Sequence, residues 1–204
     1  MYRLVESIKV ENKQLCHIEW HNKRFNESRN KLFGLNEWID LNNMVQLPDT
    51  LTDGVYKCRM VYAKEIEVIQ FQPYTARIVK TLQLVENNIV DYSYKYENRQ
   101  ALARLMERKG TADDILIVKN GCITDTSYAN IAFFDGRQWF TPDTYLLNGT
   151  QRQCLLAEGI LQEVRIIPAD LSKYILAKPI NAMLDFEQTE SVEIYHINNP
   201  EFHS

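Results

Sequence analysis

The segment Asp114-Ile115-Leu116-Ile117-Val118-Lys119 constrains this chain most. It is a nearly continuous apolar run, and Asn120-Gly121 follows it at once. An Asn-Gly pair accepts the positive φ angles of a two-residue hairpin, so the run predicts a buried strand that turns back on itself. Asp135-Gly136 repeats the signal between candidate strands at Ile131–Phe134 and Gln138–Phe140. Further short strands are expected around Val164–Ile167, Ala182–Leu184 and Val192–Tyr195, and Gly149-Thr150-Gln151-Arg152 opens a helix to about Glu158. The second half is therefore mostly sheet.

The first half reads as strands around one helix. Tyr2–Val10 and Gln14–Trp20 flank a hairpin-like break at Glu11-Asn12-Lys13. His21–Phe33 has helical character and stops at Gly34, a residue suited to a left-handed helix end. Residues 36–54 read as an irregular connection, Val55–Tyr62 and Ile66–Phe71 as a second hairpin, and Ile78–Val85 as another strand. Glu97–Lys109 is the clearest helix, with Ala101, Leu102, Leu105 and Met106 on one face and Gly110 at its end. The pattern predicts an α+β chain with an N-terminal domain over 1–92 and a C-terminal domain over 93–204.

Composition narrows the function classes. The 204 residues are 45% hydrophobic and 25% charged, which excludes a disordered or fibrous chain. The net charge is -4 and the basic residues are scattered, so no nucleic-acid surface is expected. No apolar run is long enough to span a bilayer. Cys16, Cys58, Cys122 and Cys154 form no CxxC pair, so structural zinc is not expected, and reduced thiols in a cytoplasmic protein are. HExxH, GxGxxG and Walker patterns are absent, and His17 with His21 is not read as a metal pair.

Four segments carry residues with chemical potential. Lys95 lies among tyrosines in Tyr94-Lys95-Tyr96-Glu97-Asn98-Arg99. A partly dry aromatic setting frees a lysine amine as a nucleophile, although an exposed lysine at a helix start is the plainer reading. Asp125-Thr126-Ser127-Tyr128-Ala129-Asn130 is read as a loop that either satisfies its own backbone or aims a carboxylate at a ligand. Leu147-Asn148-Gly149-Thr150-Gln151-Arg152 makes a helix start fit for an anion, or simply a capped helix. Arg24 can grip a phosphate or carboxylate with two bonds, or sit on a solvated helix face.

Taken in order, these segments resemble the class IV (fold type IV) aminotransferase family, which includes branched-chain and D-amino-acid aminotransferases and 4-amino-4-deoxychorismate lyase. His21-x-x-Arg24-Phe25-x-x-Ser28 is similar to the family's His-x-x-Arg-Leu segment, whose arginine binds the phosphate of pyridoxal 5′-phosphate (PLP). Lys95-Tyr96-Glu97-Asn98-Arg99 resembles the Lys-x-x-Asn-Arg segment, whose lysine joins PLP covalently. Asp125-x-Ser127-x-x-Asn130-Ile131 resembles Glu-x-Ser-x-x-Asn-Val, whose acid meets the pyridine nitrogen. Thr141-Pro142 with Leu147-x-Gly149-x-x-Arg152 resembles the phosphate cup, and Asn181-Ala182 a later stretch bordering the phosphate. Lys95 and Asp125 stand thirty positions apart, close to the family's separation. Two departures are Asp125 in place of Glu and Thr150 in place of an aliphatic residue. The chain begins near the family's Phe-Glu-Thr strand, here Val5-Glu6-Ser7, without the upstream Tyr/Phe-Gly-Asp-Gly segment.

The resemblance implies a two-layer N-terminal part, a barrel-like C-terminal sheet, PLP between them and a homodimer. It implies Lys95 as the catalytic group, with Arg24, Asp125, Tyr128, Ala129, Asn130, Leu147, Gly149, Thr150, Gln151 and Asn181 around the cofactor. Lys9, Arg59 and Arg77 are candidates for a substrate carboxylate. The compact chain favours a lyase of folate biosynthesis that releases pyruvate and 4-aminobenzoate. An amino-acid aminotransferase and a non-catalytic binding protein of the same fold are the alternatives.

Overall fold

The computed structural model describes residues 2–198. Their contacts divide the chain into two compact units, Met1–Ala76 with Tyr94–Asn98 and Arg77–Ser93 with Arg99–Ser204. The sequence places one boundary at 92/93; backbone pairing divides the chain differently. Leu82–Glu86 runs parallel to Asp114–Lys119, which draws residues before 92 into the second unit. Tyr96 bridges Leu4, and Val5 N–H donates to the Lys95 carbonyl at 2.9 Å, which returns 94–98 to the first.

In the first unit, β1 (Leu4–Glu11), β2 (Gln14–Leu15), β3 (Val55–Tyr62) and β4 (Ile66–Pro73) form an antiparallel sheet in the order β2-β1-β3-β4. Side chains alternate along a strand. Leu4, Ile8 and Val10 of β1 and Cys58, Met60 and Tyr62 of β3 thus share a core with Phe25 of α1 (Ile18–Phe33), a two-layer arrangement. The helix begins at Ile18 rather than His21. His17 takes a left-handed conformation (φ 50°) and turns the chain into the helix, which cuts β2 to two residues. Gly34, also left-handed (φ 71°), ends α1 as expected. A short helix, α2 (Leu41–Met44), interrupts the 36–54 connection, with Asp40 accepting from Asn42 N–H.

The second unit contains two sheets among the described residues. β5 (Leu82–Glu86), β6 (Asp114–Lys119), β7 (Cys122–Thr126) and β13 (Ile197–Asn198) follow the order β13-β5-β6-β7. β8 (Asn130–Phe134), β9 (Trp139–Pro142), β10 (Leu161–Val164), β11 (Leu176–Ile180) and β12 (Val192–Glu193) follow the order β10-β9-β8-β11-β12. Leu116, Val118 and Ile123 from one sheet share a core with Ile131, Phe133 and Ala177 from the other, which closes the sheets into a barrel-like body. α4 (Thr150–Ala157) supplies Leu155 to a second cluster with Ala132, Leu161 and Ile180.

The Asn120-Gly121 hairpin forms as expected, with φ angles of 52° and 75°. The helix over 97–109 shortens to α3 (Gln100–Met106), because Glu97 N–H is taken by the Arg3 carbonyl. Leu102 and Leu105 are buried, but Ala101 is exposed. The expected strands at 164–167 and 182–184 lie earlier, at β10 and β11. No helix among the described residues is long and apolar enough to cross a membrane.

Candidate active site

In the first unit, Lys95 sits opposite Val5, held by backbone pairing rather than by a helix. The inward residue next along β1 is Glu6, fully shut away from solvent. Its carboxylate takes Nε of Arg24 at 2.9 Å and Nη2 of the same guanidinium, a two-bond fork, and meets Nδ1 of His21 at 2.6 Å. Helical spacing makes this possible: His21 and Arg24 are one turn apart on the buried side of α1. Burial alone would raise the Glu6 pKa, but the Arg24 charge and the bonds from His21 and Arg24 outweigh it and bring it down to about 2. His21 is pushed below its usual range by burial, against the pull of Glu6.

In the second unit, the segment read as a loop is strand. Asp125 lies on β7 and is buried, because Leu116 and Thr126 pair across the sheet and carry 122–126 into the core. Asp125 Oδ1 accepts from Asn130 Nδ2 at 2.8 Å, and Oδ2 from Leu147 N–H at 3.0 Å. The same Asn130 amide donates to the Leu147 carbonyl at 2.8 Å. Thr126 Oγ1 accepts from Ala129 N–H and donates to the Ala129 carbonyl, which tightens the turn carrying Tyr128. Burial pushes the Asp125 pKa up to about 7, against the Leu147 and Asn130 bonds and the Arg152 charge.

Gly149 precedes α4 and packs directly on Asn130: a Cβ there would stand 2.1 Å from Asn130 Oδ1. The absence of a side chain lets the helix start close on the Asp125 network. The first N–H groups of α4, those of Thr150 and Gln151, have no carbonyl inside the helix to bond, and the helix dipole makes that end attractive to an anion. Arg152 is buried, bonds the Pro142 carbonyl at 2.9 Å and Asn148 Oδ1 at 3.2 Å, pairs with Glu163, and so ties the turn to β9 and β10.

A family model described as amino-transferase class IV matches residues 3–185. The chain belongs to that family. It is 38% identical over 185 residues to an uncharacterized protein of Haemophilus influenzae, covering 90% of this chain and 98% of that one. It is similar to a crystal structure described as a "putative 4-amino-4-deoxychorismate lyase" from Haemophilus somnus, with a TM-score of 0.83, 32% identity, and 90% and 97% of the two chains covered. The PLP-bound form of a hypothetical aminotransferase from Mycobacterium tuberculosis shares the fold at a TM-score of 0.75 and 16% identity, with 99% and 85% covered.

Class IV aminotransferases are PLP-dependent, and the residues here fit that group. A buried acid and an open helix start stand in one assembly, bridged by Asn130 and Leu147, as a ring nitrogen and a phosphate on one molecule require. Asp125 Oδ1 is met by Asn130 and Oδ2 by Leu147, and a carboxylate oxygen has room for two bonds. Asn181 accepts from Met183 N–H at 2.9 Å in a local turn.

The three substrate candidates all hold acids of their own. Lys9 pairs with Glu11 at 2.9 Å on the same strand, and Arg59 with Glu97 at 2.7 Å. Arg77 lies 3.7 Å from Asp114 and over the Tyr128 ring. Sequence reasoning missed Glu6 and His21 as site residues. The available signal was an acid at an inward position of β1, where only apolar partners would otherwise fit.

Proposed function

We propose that this chain is a PLP-dependent enzyme whose reaction is that of a 4-amino-4-deoxychorismate lyase, releasing pyruvate and 4-aminobenzoate. The observation that carries the reading is the joined Asp125–Asn130–Leu147–Gly149 assembly, which offers an acid and an anion-binding helix start in one unit. The lyase assignment is supported by similarity to the Haemophilus somnus protein at 32% identity across 97% of its length.

When bound, PLP supplies an aldehyde carbon for the amino substrate and a ring that withdraws electrons. In this reading Lys95 would hold the cofactor at that carbon, and its amine would be the base that takes a proton from the substrate α-carbon. Asp125 would hold a proton at the ring nitrogen. The N–H groups of Thr150 and Gln151 would hold the phosphate, for which Arg24 is a further candidate. Asn130 and Leu147 orient Asp125, and Tyr128 and Ala129 form the turn that carries Asn130. The burial of Asp125 keeps bulk water from its carboxyl.

A transaminase of amino acids is the second reading, favoured by the family match over residues 3–185. Incubation with aminodeoxychorismate separates the two: 4-aminobenzoate and pyruvate are expected. Their absence, together with glutamate formed from 2-oxoglutarate and an amino acid, overturns the lyase assignment in favour of transamination. The reading carries with it a cytoplasmic homodimer in folate biosynthesis; sedimentation of the purified chain at twice its 24.0 kDa mass is the expected result for the dimer.

A further inference from the structure

We propose that the cavity beside the Asn120-Gly121 hairpin is a second binding site, for a small carboxylate that carries a flat ring. The cavity has a volume of about 390 Å³ and lies wholly in the second unit. None of the residues read as cofactor ligands lines it, so the proposal stands apart from the reading of Lys95.

Local bonds fix its walls. Asn120 N–H donates to Asn88 Oδ1 at 2.6 Å, and Lys119 Nζ donates to the Val90 carbonyl at 2.6 Å. These hold residues 88–90 on the hairpin and bring Tyr92 to the cavity. Thr144 Oγ1 donates to the Ile123 carbonyl at 2.8 Å, and Asp143 N–H to the Val164 carbonyl at 3.0 Å. The 143–146 segment is thereby tied to β7 and β10. The Tyr145 ring lines the cavity, and the Arg152 guanidinium fixes it from 4.3 Å. A cavity of this size whose walls are set before a ligand arrives suits a small molecule.

The lining decides which one. Lys119 and Arg165 both face the cavity, and among the described residues that line it there is no Asp or Glu. In a chain of net charge -4, two cations gathered on one cavity favour an anion. Both have capacity for it. An ammonium carries three N–H groups, and the Val90 carbonyl takes one. Arg165 meets Asp143 only at 3.3 Å, through Nε and Nη2, and both side chains are partly exposed, so that pair is weak. Its planar fork matches a carboxylate. Tyr92, Tyr145 and Leu146 add the apolar surface that a ring covers and a bare inorganic anion leaves wet.

Benzoate is the probe, and inorganic phosphate is the plain anion against it. Calorimetric titration of the full chain is expected to show benzoate binding that added PLP does not diminish. Arg165→Gln is expected to weaken it about tenfold or more, the scale of one hydrogen bond to a charged group. Arg137→Gln changes the net charge equally at an exposed position on the Asp135-Gly136 turn, and is expected to leave binding unchanged. Phosphate binding as tight as that of benzoate, equal losses in the two variants, competition by PLP, or no benzoate binding at all each overturns the proposal.

Proton NMR locates the ring. Nuclear Overhauser contacts between benzoate and the Leu146 methyl groups are expected, and a benzoate seated elsewhere overturns the proposal. A wild type that captures no PLP sinks the cofactor reading and leaves the benzoate comparison intact.

Discussion

Glu6 and Asp125 are both strand carboxylates shut away from water, yet Glu6 is held down at about 2 while Asp125 is pushed up to about 7. Burial raises both. The difference is the company each keeps. Glu6 takes two bonds from a guanidinium and one from an imidazole. Asp125 takes its bonds from neutral amides, Asn130 and Leu147 among them, and feels the Arg152 charge. A buried acid bonded to a cation is a finished structural joint. One bonded to amides alone keeps an unspent preference for a positive partner, which suits the role proposed for Asp125 beside a ring nitrogen.

The largest break in this comparison is Glu6→Gln. It leaves Arg24 buried without its counter-charge and is expected to cost about 3–5 kcal/mol in chemical denaturation. A loss below about 1 kcal/mol, the scale of an exposed pair, would mean that water reaches the fork.

The pH dependence of stability comes next, and the two acids act with opposite sign. The folded pKa of Asp125 lies above its unfolded value of 3.8, so its contribution is full below that value and is lost as pH rises through about 7. That fall is at most about 4 kcal/mol, and Asp125→Asn should flatten it. The Glu6 contribution runs the other way: present above 4.5, and lost as pH falls toward about 2. It amounts to about 3 kcal/mol. Denaturation midpoints across both windows, in wild type and each variant, check the signs.

Gly149→Ala tests the packing beneath the helix start. Its Cβ would meet Asn130 Oδ1 at 2.1 Å, so Asn130 must yield. A loss of about 1–3 kcal/mol is expected, the usual scale of overpacking. PLP affinity, read by absorbance titration, should fall with it. The smallest effect is expected for Arg59→Ala. Arg59 pairs with Glu97 while 31% exposed, so thermal denaturation should register about 1 kcal/mol or less.

How much of this was legible depended on whether local chemistry decided the outcome. β6 and the Asn120-Gly121 turn were readable because a continuous apolar run and a left-handed dipeptide have few alternatives. Gly34 was readable for the same reason. The Lys95 segment was found through its order among the other motifs, but its placement was not. Residues 97–99 look helical and are held out of the helix by pairing with β1, a contact more than ninety residues away in sequence. Asp125 was misplaced in a loop because polar residues dominate 124–130, while its burial depends on partners at 116, 130 and 147. Glu6 was hidden because one acid in a strand gives no sign of which side chains will converge on it.

The proposed function stands or falls on Lys95 holding PLP. The direct measurement is the visible spectrum of the purified chain with added PLP, followed by borohydride reduction and peptide mass mapping. An absorbance band in the wild type and a reduced adduct on Lys95 are expected, and neither in Lys95→Ala. A colourless wild type, or a band and adduct that persist in Lys95→Ala, would contradict it.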